Sequence, residues 1–177
     1  MATINGITVK SYREFSGIEY PTIRECTVWK DGKKIGTYRE DEWGGESHFS
    51  EGLEDIIHPS ALQFQSGCDR KDYEDNADMF MTHLLTLAEY EKIYKANCKK
   101  GHPYTLFIGT NGYSPYAYVS SNMPMSGKMN TDSRLQNFIK KSFPNGFKFA
   151  WEFRSLSDFV LTVDKKHPVP QYIASGD

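Results

Sequence analysis

The chain has 177 residues, 38% of them hydrophobic and 14% aromatic, a composition that can bury a core and that excludes the weakly hydrophobic class of disordered chains. The net charge of −2 excludes little by itself, but Cys26, Cys68 and Cys98 are odd in number and widely spaced, which argues against a disulfide framework and for a reducing compartment. No stretch approaches the roughly 18 apolar residues of a membrane span, and the opening residues show no basic leader before an apolar run, so the expected location is the cytoplasm with no membrane partner.

In chain order, Ile4, Ile7 and Val9 open a strand, residues 17–21 break it, and residues 24–30 alternate as a second strand. Asp31-Gly32 follows, the preferred pair for a two-residue type I′ hairpin because both turn positions need positive φ. In that register Val28 faces Ile35, Cys26 faces Thr37, Trp29 faces Lys34 and Glu25 faces Tyr38, with Cys26, Val28 and Ile35 pointing inward. Residues 50–60 form one or two helical turns around Leu53, Ile56 and Ile57 that stop at Pro59, and residues 60–71 read as connection. From about Asp75 to Lys100, Phe80, Leu84, Leu87, Ala88 and Tyr94 recur at helical spacing. Acids crowd the start of this helix and lysines its end, as the helix dipole favours, and Gly101 and Pro103 stop it.

Residues 104–108 and 116–120 are β-prone and flank the turn-rich loop 109–115, which predicts a hairpin. A helix over 132–143 is expected, capped by Thr131, with Leu135, Phe138 and Ile139 buried and Pro144-Asn145-Gly146 as its terminator. Phe147, Phe149, Trp151 and Phe153 then alternate with Lys148, Ala150 and Glu152, a strand with one heavily apolar face. Residues 159–163 form the last strand, and the chain is expected to run extended thereafter. The order β-β-β-α-α-β-β-α-β-β is an α+β fold. Its expected parts are an antiparallel β module over 1–50, an α+β domain over 51–166 and an extended tail over 167–177.

Little in the sequence points to catalysis or metal chemistry. Cys98 and His102 lie four apart, but no close cysteine pair announces a zinc site, so no metal and no cofactor are expected. Neither a nucleophile elbow nor a glycine-rich context surrounds the thiols. Ser126-Gly127-Lys128 lacks the earlier glycine of a phosphate loop and has Met129 in the hydroxyl position. No catalytic residue is assigned.

Charge is the more informative pattern. Residues 39–78 contain twelve acids and three bases and so carry −9, while the rest of the chain, with eleven acids and eighteen bases, carries +7. Such a segment either folds back onto the chain's own lysines or forms an acidic face for a basic partner.

The run Cys26-Thr27-Val28-Trp29-Lys30-Asp31-Gly32-Lys33-Lys34-Ile35-Gly36-Thr37-Tyr38, followed by Asp41-Glu42-Trp43-Gly44-Gly45, resembles a small β module at the start of many uncharacterised bacteriophage and prophage proteins. The likeness spans about residues 8–50. Proteins of that setting include accessory factors that block host defences, anti-CRISPR proteins among them, and they typically occupy a surface of a host enzyme. The resemblance implies that setting and carries no catalytic residues over.

The expected function is therefore inhibition of a host nucleic-acid-directed defence complex, the partner being a host protein or nucleoprotein with a basic surface. The expected partner-binding residues are Glu40, Asp41, Glu42, Trp43, Glu46, Glu51, Glu54 and Asp55, with carboxylates for steering and Trp43 as anchor. One alternative is a small enzyme or sequestering protein for a nucleotide or signalling molecule, with loop 109–115 and its tyrosines over a pocket. The other is a single-strand nucleic-acid binder that uses Tyr104, Phe107, Tyr113, Tyr116 and Tyr118 near Lys99, Lys100 and Lys128. A sequence pI near 6.2 makes direct nucleic-acid binding the weaker of these.

Overall fold

The computed structural model describes residues 1–16, 23–41, 45–68, 76–98, 103–109, 117–125 and 131–174. The fold is α+β, as the sequence predicts. Its strands are β1 (Thr3–Ile4), β2 (Ile7–Phe15), β3 (Ile23–Lys30), β4 (Lys33–Arg39), β5 (His48–Phe49), β6 (Tyr104–Gly109), β7 (Ala117–Ser121), β8 (Phe147–Phe153) and β9 (Val160–Leu161). Its helices are α1 (Leu53–Gln65), α2 (Asn76–Asn97), α3 (Ser133–Ser142) and the single turn α4 (Gln171–Ala174), with a 3-10 turn at Leu156–Phe159. The expected break over residues 17–21 and the loop 109–115, apart from Gly109, lie outside the described residues.

Two compact units result, Met1–Glu91 with Phe159–Val169, and Lys92–Asp158 with Pro170–Asp177. These bounds differ from the expected divisions at 50 and 166. The reason is packing: α1 and most of α2 bury their apolar side chains in the first unit, and the late strand β9 pairs in parallel with β1, Thr3 opposite Val160 and Ile4 opposite Leu161. Each unit is thus made of two separate stretches of the sequence.

The first unit holds a six-stranded sheet in the order β5-β4-β3-β2-β1-β9. What the sequence presents as one opening strand is a tight hairpin, because Asn5 and Gly6 take φ of 48° and 81° and bring Ile7 opposite Ile4. The Asp31-Gly32 turn also has positive φ at both positions, 49° and 76°, and Trp29 does face Lys34. Beyond that pair a bulge admits Ile35 as an extra residue, so Val28 faces Gly36, Thr27 faces Thr37 and Cys26 faces Tyr38. The shift turns Tyr38 inward beside the buried Cys26 and Val28 and leaves Ile35 half-buried.

Helix α1 runs straight through Pro59 instead of stopping there. Leu53, Ile57, Ala61 and Phe64 recur every three to four residues and all are buried, and that continuous stripe outweighs the hydrogen bond which the proline cannot donate. Phe64 packs edge-on against Phe80 of α2, with ring centroids 5.6 Å apart. A polar clasp closes the unit. The Asn5 side chain donates to the carbonyls of Ser60 (3.2 Å) and Val163 (3.0 Å) and accepts from Val163 N (2.8 Å), while Ser60 Oγ donates to the Asn5 carbonyl at 3.1 Å.

The second unit contains the antiparallel sheet β7-β6-β8. The expected hairpin is present, with Phe107 opposite Val119. One sheet face is covered by α3 through Phe107, Leu135 and Phe143, with Phe138, Ile139 and Ala150 packed around them. Helix α3 is capped by Asp132 in place of Thr131: Asp132 Oδ1 accepts from Arg134 N at 3.0 Å and from Leu135 N at 3.2 Å. The strand β8 is not apolar on one face only. Lys148 is a bulge residue, so Phe149 pairs with Ile108 but Phe147 with Gly109, and Phe147 joins the face of Phe107 and Phe143. Gly109 is required there, since a Cβ would overlap the Phe143 ring. The expected extended tail is folded as well: Asp164 and His167 close a turn, Val169 N donates to Gly67 O at 3.0 Å, and Tyr172 and Ile173 of α4 are buried.

Candidate functional site

The acidic segment forms the corner where β4 and β5 lead into α1. Gly36 shapes this corner, because a side chain there would overlap Ser50 Oγ and crowd Leu53. Ser50 uses the space to clamp β4: its N–H donates to Thr37 O, and its Oγ accepts from Thr37 N, both at 2.9 Å. The Ser50 carbonyl accepts from Leu53 N at 3.0 Å, and Gly52 takes φ 72° at the helix boundary, a conformation that suits glycine. Beneath the corner the Tyr38 ring meets Phe49 edge-on at 5.0 Å, and its hydroxyl donates to Asp78 Oδ1 at 2.6 Å. Burial, reinforced by that carboxylate acceptor, pushes the Tyr38 phenol well above its ordinary pKa. The amino end of α1 is therefore fixed to the sheet by hydrogen bonds and ring packing. Glu54 and Asp55 in its first turn suit the positive end of the helix dipole.

The sequence-predicted residues divide into three groups. Glu40 is held internally: Arg24 Nε lies 2.8 and 2.9 Å from its two oxygens, Arg24 N donates at 2.8 Å, and the guanidinium closes a forked ion pair. Asp41 is half-buried, accepting from Gly45 N at 2.7 Å and lying 3.5 Å from His48 Nε2. Glu46, Glu51, Glu54 and Asp55 are exposed, and no ion pair to them forms among the described residues. Glu42 and Trp43 lie outside the described residues. Three of the four exposed acids fall within five consecutive residues at the start of α1.

Two neighbours on α1 were not singled out by the charge pattern. Ile56 and Leu62 are 41% and 44% exposed. The signal was available: once Leu53, Ile57, Ala61 and Phe64 take the inner stripe, Asp55 and Leu62, seven residues apart, must share the outer face.

The other readings gain little here. Tyr104 and Phe107 are fully buried, so neither can stack on a base. Tyr113, Tyr116, Lys99, Lys100 and Lys128 lie outside the described residues, as does most of the loop considered as a pocket lid. Cys26 is buried, and its thiol is pushed up to about 12 by that burial, the opposite of an activated nucleophile. Among the described residues no group of three or more His, Cys, Asp and Glu side chains is arranged to hold a metal, and no helix is long and apolar enough to cross a membrane. Comparison with protein-family models, with curated proteins and with solved structures returned no match.

Proposed function

We propose that this chain is a binding protein of the phage accessory type, which inhibits a host nucleic-acid-directed defence complex by docking the amino end of α1 and the loop before it onto a basic surface. The supporting observation is that Glu46, Glu51, Glu54 and Asp55 project into solvent from a corner clamped to the sheet, while Glu40 is neutralised by Arg24. A fixed cluster of carboxylates steers a basic partner and repels phosphate, which favours the protein component of such a complex over its nucleic acid. Ile56 and Leu62 add apolar area that becomes dry on docking, where the larger part of affinity arises. Within the acidic segment the reading thus rests on the four exposed acids.

The test is affinity capture from a bacterial host lysate at moderate salt, read by mass spectrometry, with the wild-type chain and with Glu46→Lys, Glu51→Lys, Glu54→Lys and Asp55→Lys combined. The variant should keep its circular dichroism spectrum and lose the partner. Unchanged capture by the folded variant eliminates this docking surface.

A further inference from the structure

The six-stranded sheet of the first unit has two unlike faces. Ile7, Val9, Cys26, Val28 and Tyr38 are buried on one of them, and Arg24, of the same parity as Cys26 and Val28, reaches Thr86 of α2 from there, Nη1 to Oγ1 at 3.4 Å. The helices therefore lie on that side. Residues of the other parity share the second face: Thr8 and Lys34 stand opposite Trp29, and Lys10 and Thr37 opposite Thr27. Each of these is half-buried or exposed, and none is buried. The Trp29 indole is fixed, since its Nε1 donates to Thr27 Oγ1 at 3.0 Å and that hydroxyl donates in turn to the Lys10 carbonyl at 3.0 Å. Lys10 Nζ rests over the ring, 3.6 Å from its centroid. Lys30, Lys33 and Lys34 surround the adjoining Asp31-Gly32 turn, so four lysines meet one acid, and none of the four forms an ion pair among the described residues. The patch sits at the turn end of the sheet, six residues along β3 from Ile23, roughly 20 Å by strand rise, and the chain leaves β2 and β4 at the far end.

From this arrangement we infer that the outer face of the first sheet binds single-stranded nucleic acid, with Lys10, Lys30, Lys33 and Lys34 on its phosphates and Trp29 stacked on a base. The lysines select a polyanion, and the ring selects among polyanions. An acidic peptide carries no π-face beside each charge, whereas every nucleotide carries both. A flat sheet face does not enter the groove of a duplex, but unpaired bases lie across it. In the free protein Lys10 holds the place of the base. A phosphate is a stronger partner for its ammonium than the ring is, so an arriving strand draws Lys10 off the indole and a base takes its position. The acids at the start of α1 do not oppose this. Gly36 faces Val28, and a Cβ there would crowd Leu53, so that helix packs on the buried face of the sheet. The inference is independent of the acidic corner.

The test is fluorescence anisotropy of a labelled oligothymidine, about twelve nucleotides long, titrated with the full chain from low salt upward. The logarithm of the association constant should fall against that of salt with a slope of about −3, from four phosphates at about 0.7 each. Lys33→Gln combined with Lys34→Gln should make the slope shallower by about 1.4 and leave the circular dichroism spectrum unchanged. Trp29→Ala should weaken binding about tenfold at every salt concentration without changing the slope, and Trp29→Phe, which keeps an aromatic face, should recover most of that loss. A chain that leaves the oligothymidine free at low salt overturns the inference. So does binding that a folded Trp29→Ala variant retains in full, or equal affinity for a duplex of the same length. Competition by an oligoglutamate of equal charge as strong as that by unlabelled oligothymidine overturns it too, since the lysines would then attract any polyanion.

Discussion

The two units solve the problem of sheet edges differently. In the first unit the six-stranded sheet ends at β5 and β9, each only two residues long, and its closure relies on polar groups: the Asn5 side chain binds α1 and the segment after β9 together. Among the described residues the second unit has three strands, with the seven-residue β8 at one end of their order, and its core on the α3 side sets Leu135 among phenylalanine rings, with Phe107 4.9 Å from Phe138 and 6.2 Å from Phe143 between ring centroids. Short edges leave little backbone for another chain to pair with, and a long one does not. A unit closed by directional hydrogen bonds should also fail differently from one closed by ring packing, since hydrogen bonds are lost one at a time whereas a missing ring leaves a cavity.

That contrast is broken most directly in the aromatic core. Phe143→Ala removes a buried ring packed on Phe107 and above Gly109, and should cost about 3–5 kcal/mol. Hydrogen exchange read by mass spectrometry should accelerate over residues 104–109 and 147–153 and leave residues 23–39 protected. The counterpart in the first unit is Asn5→Ala. It strips three side-chain hydrogen bonds and also forces a residue other than asparagine into φ 48°, for a loss of about 3 kcal/mol. Exchange should then rise in residues 3–10 and 160–163 first. If both substitutions loosened the same segments, the units would not differ in the way described.

How far the sequence foretold this follows from which interactions are local. Helix α2, the hairpin turn at Asp31-Gly32 and the pairing of β6 with β7 were readable because dipole complementarity, turn chemistry and alternation act within a few residues. Asn5-Gly6 was equally readable, being the strongest short hairpin pair, but the apolar run of Ile4, Ile7 and Val9 masks it when taken as one strand. The bulges at Ile35 and Lys148 leave no mark in an alternating pattern; they arise from tertiary packing, by which Tyr38 and Phe147 reach their cores. In the acidic segment the charge excess was legible while its division was not, because Glu40 finds Arg24 sixteen residues away across two strands. Pro59 misled for the opposite reason, since a local rule lost to a buried stripe. Its replacement sharpens the point: Pro59→Ala returns an N–H to the helix interior and should stabilise the first unit by about 1–3 kcal/mol in urea denaturation.

The smallest expected effect concerns the start of α3, where two adjacent residues compete for one role. Thr131 satisfies the sequence rule for a cap, but it is Asp132 that has extended backbone, φ −83° and ψ 106°, and whose carboxylate accepts from two amides of the first turn. An ionised acceptor at that position also faces the positive end of the helix dipole, which a hydroxyl does not exploit. Asp132→Ala should therefore cost about 1 kcal/mol, and Thr131→Ala less than half of that, in the same denaturation experiment. Because Leu135 of the first turn enters the Phe107 core, the loss should appear as faster exchange in α3 and β6 together and not as fraying of the helix alone. An equal loss from both substitutions would return the cap to Thr131 and move the helix start one residue earlier.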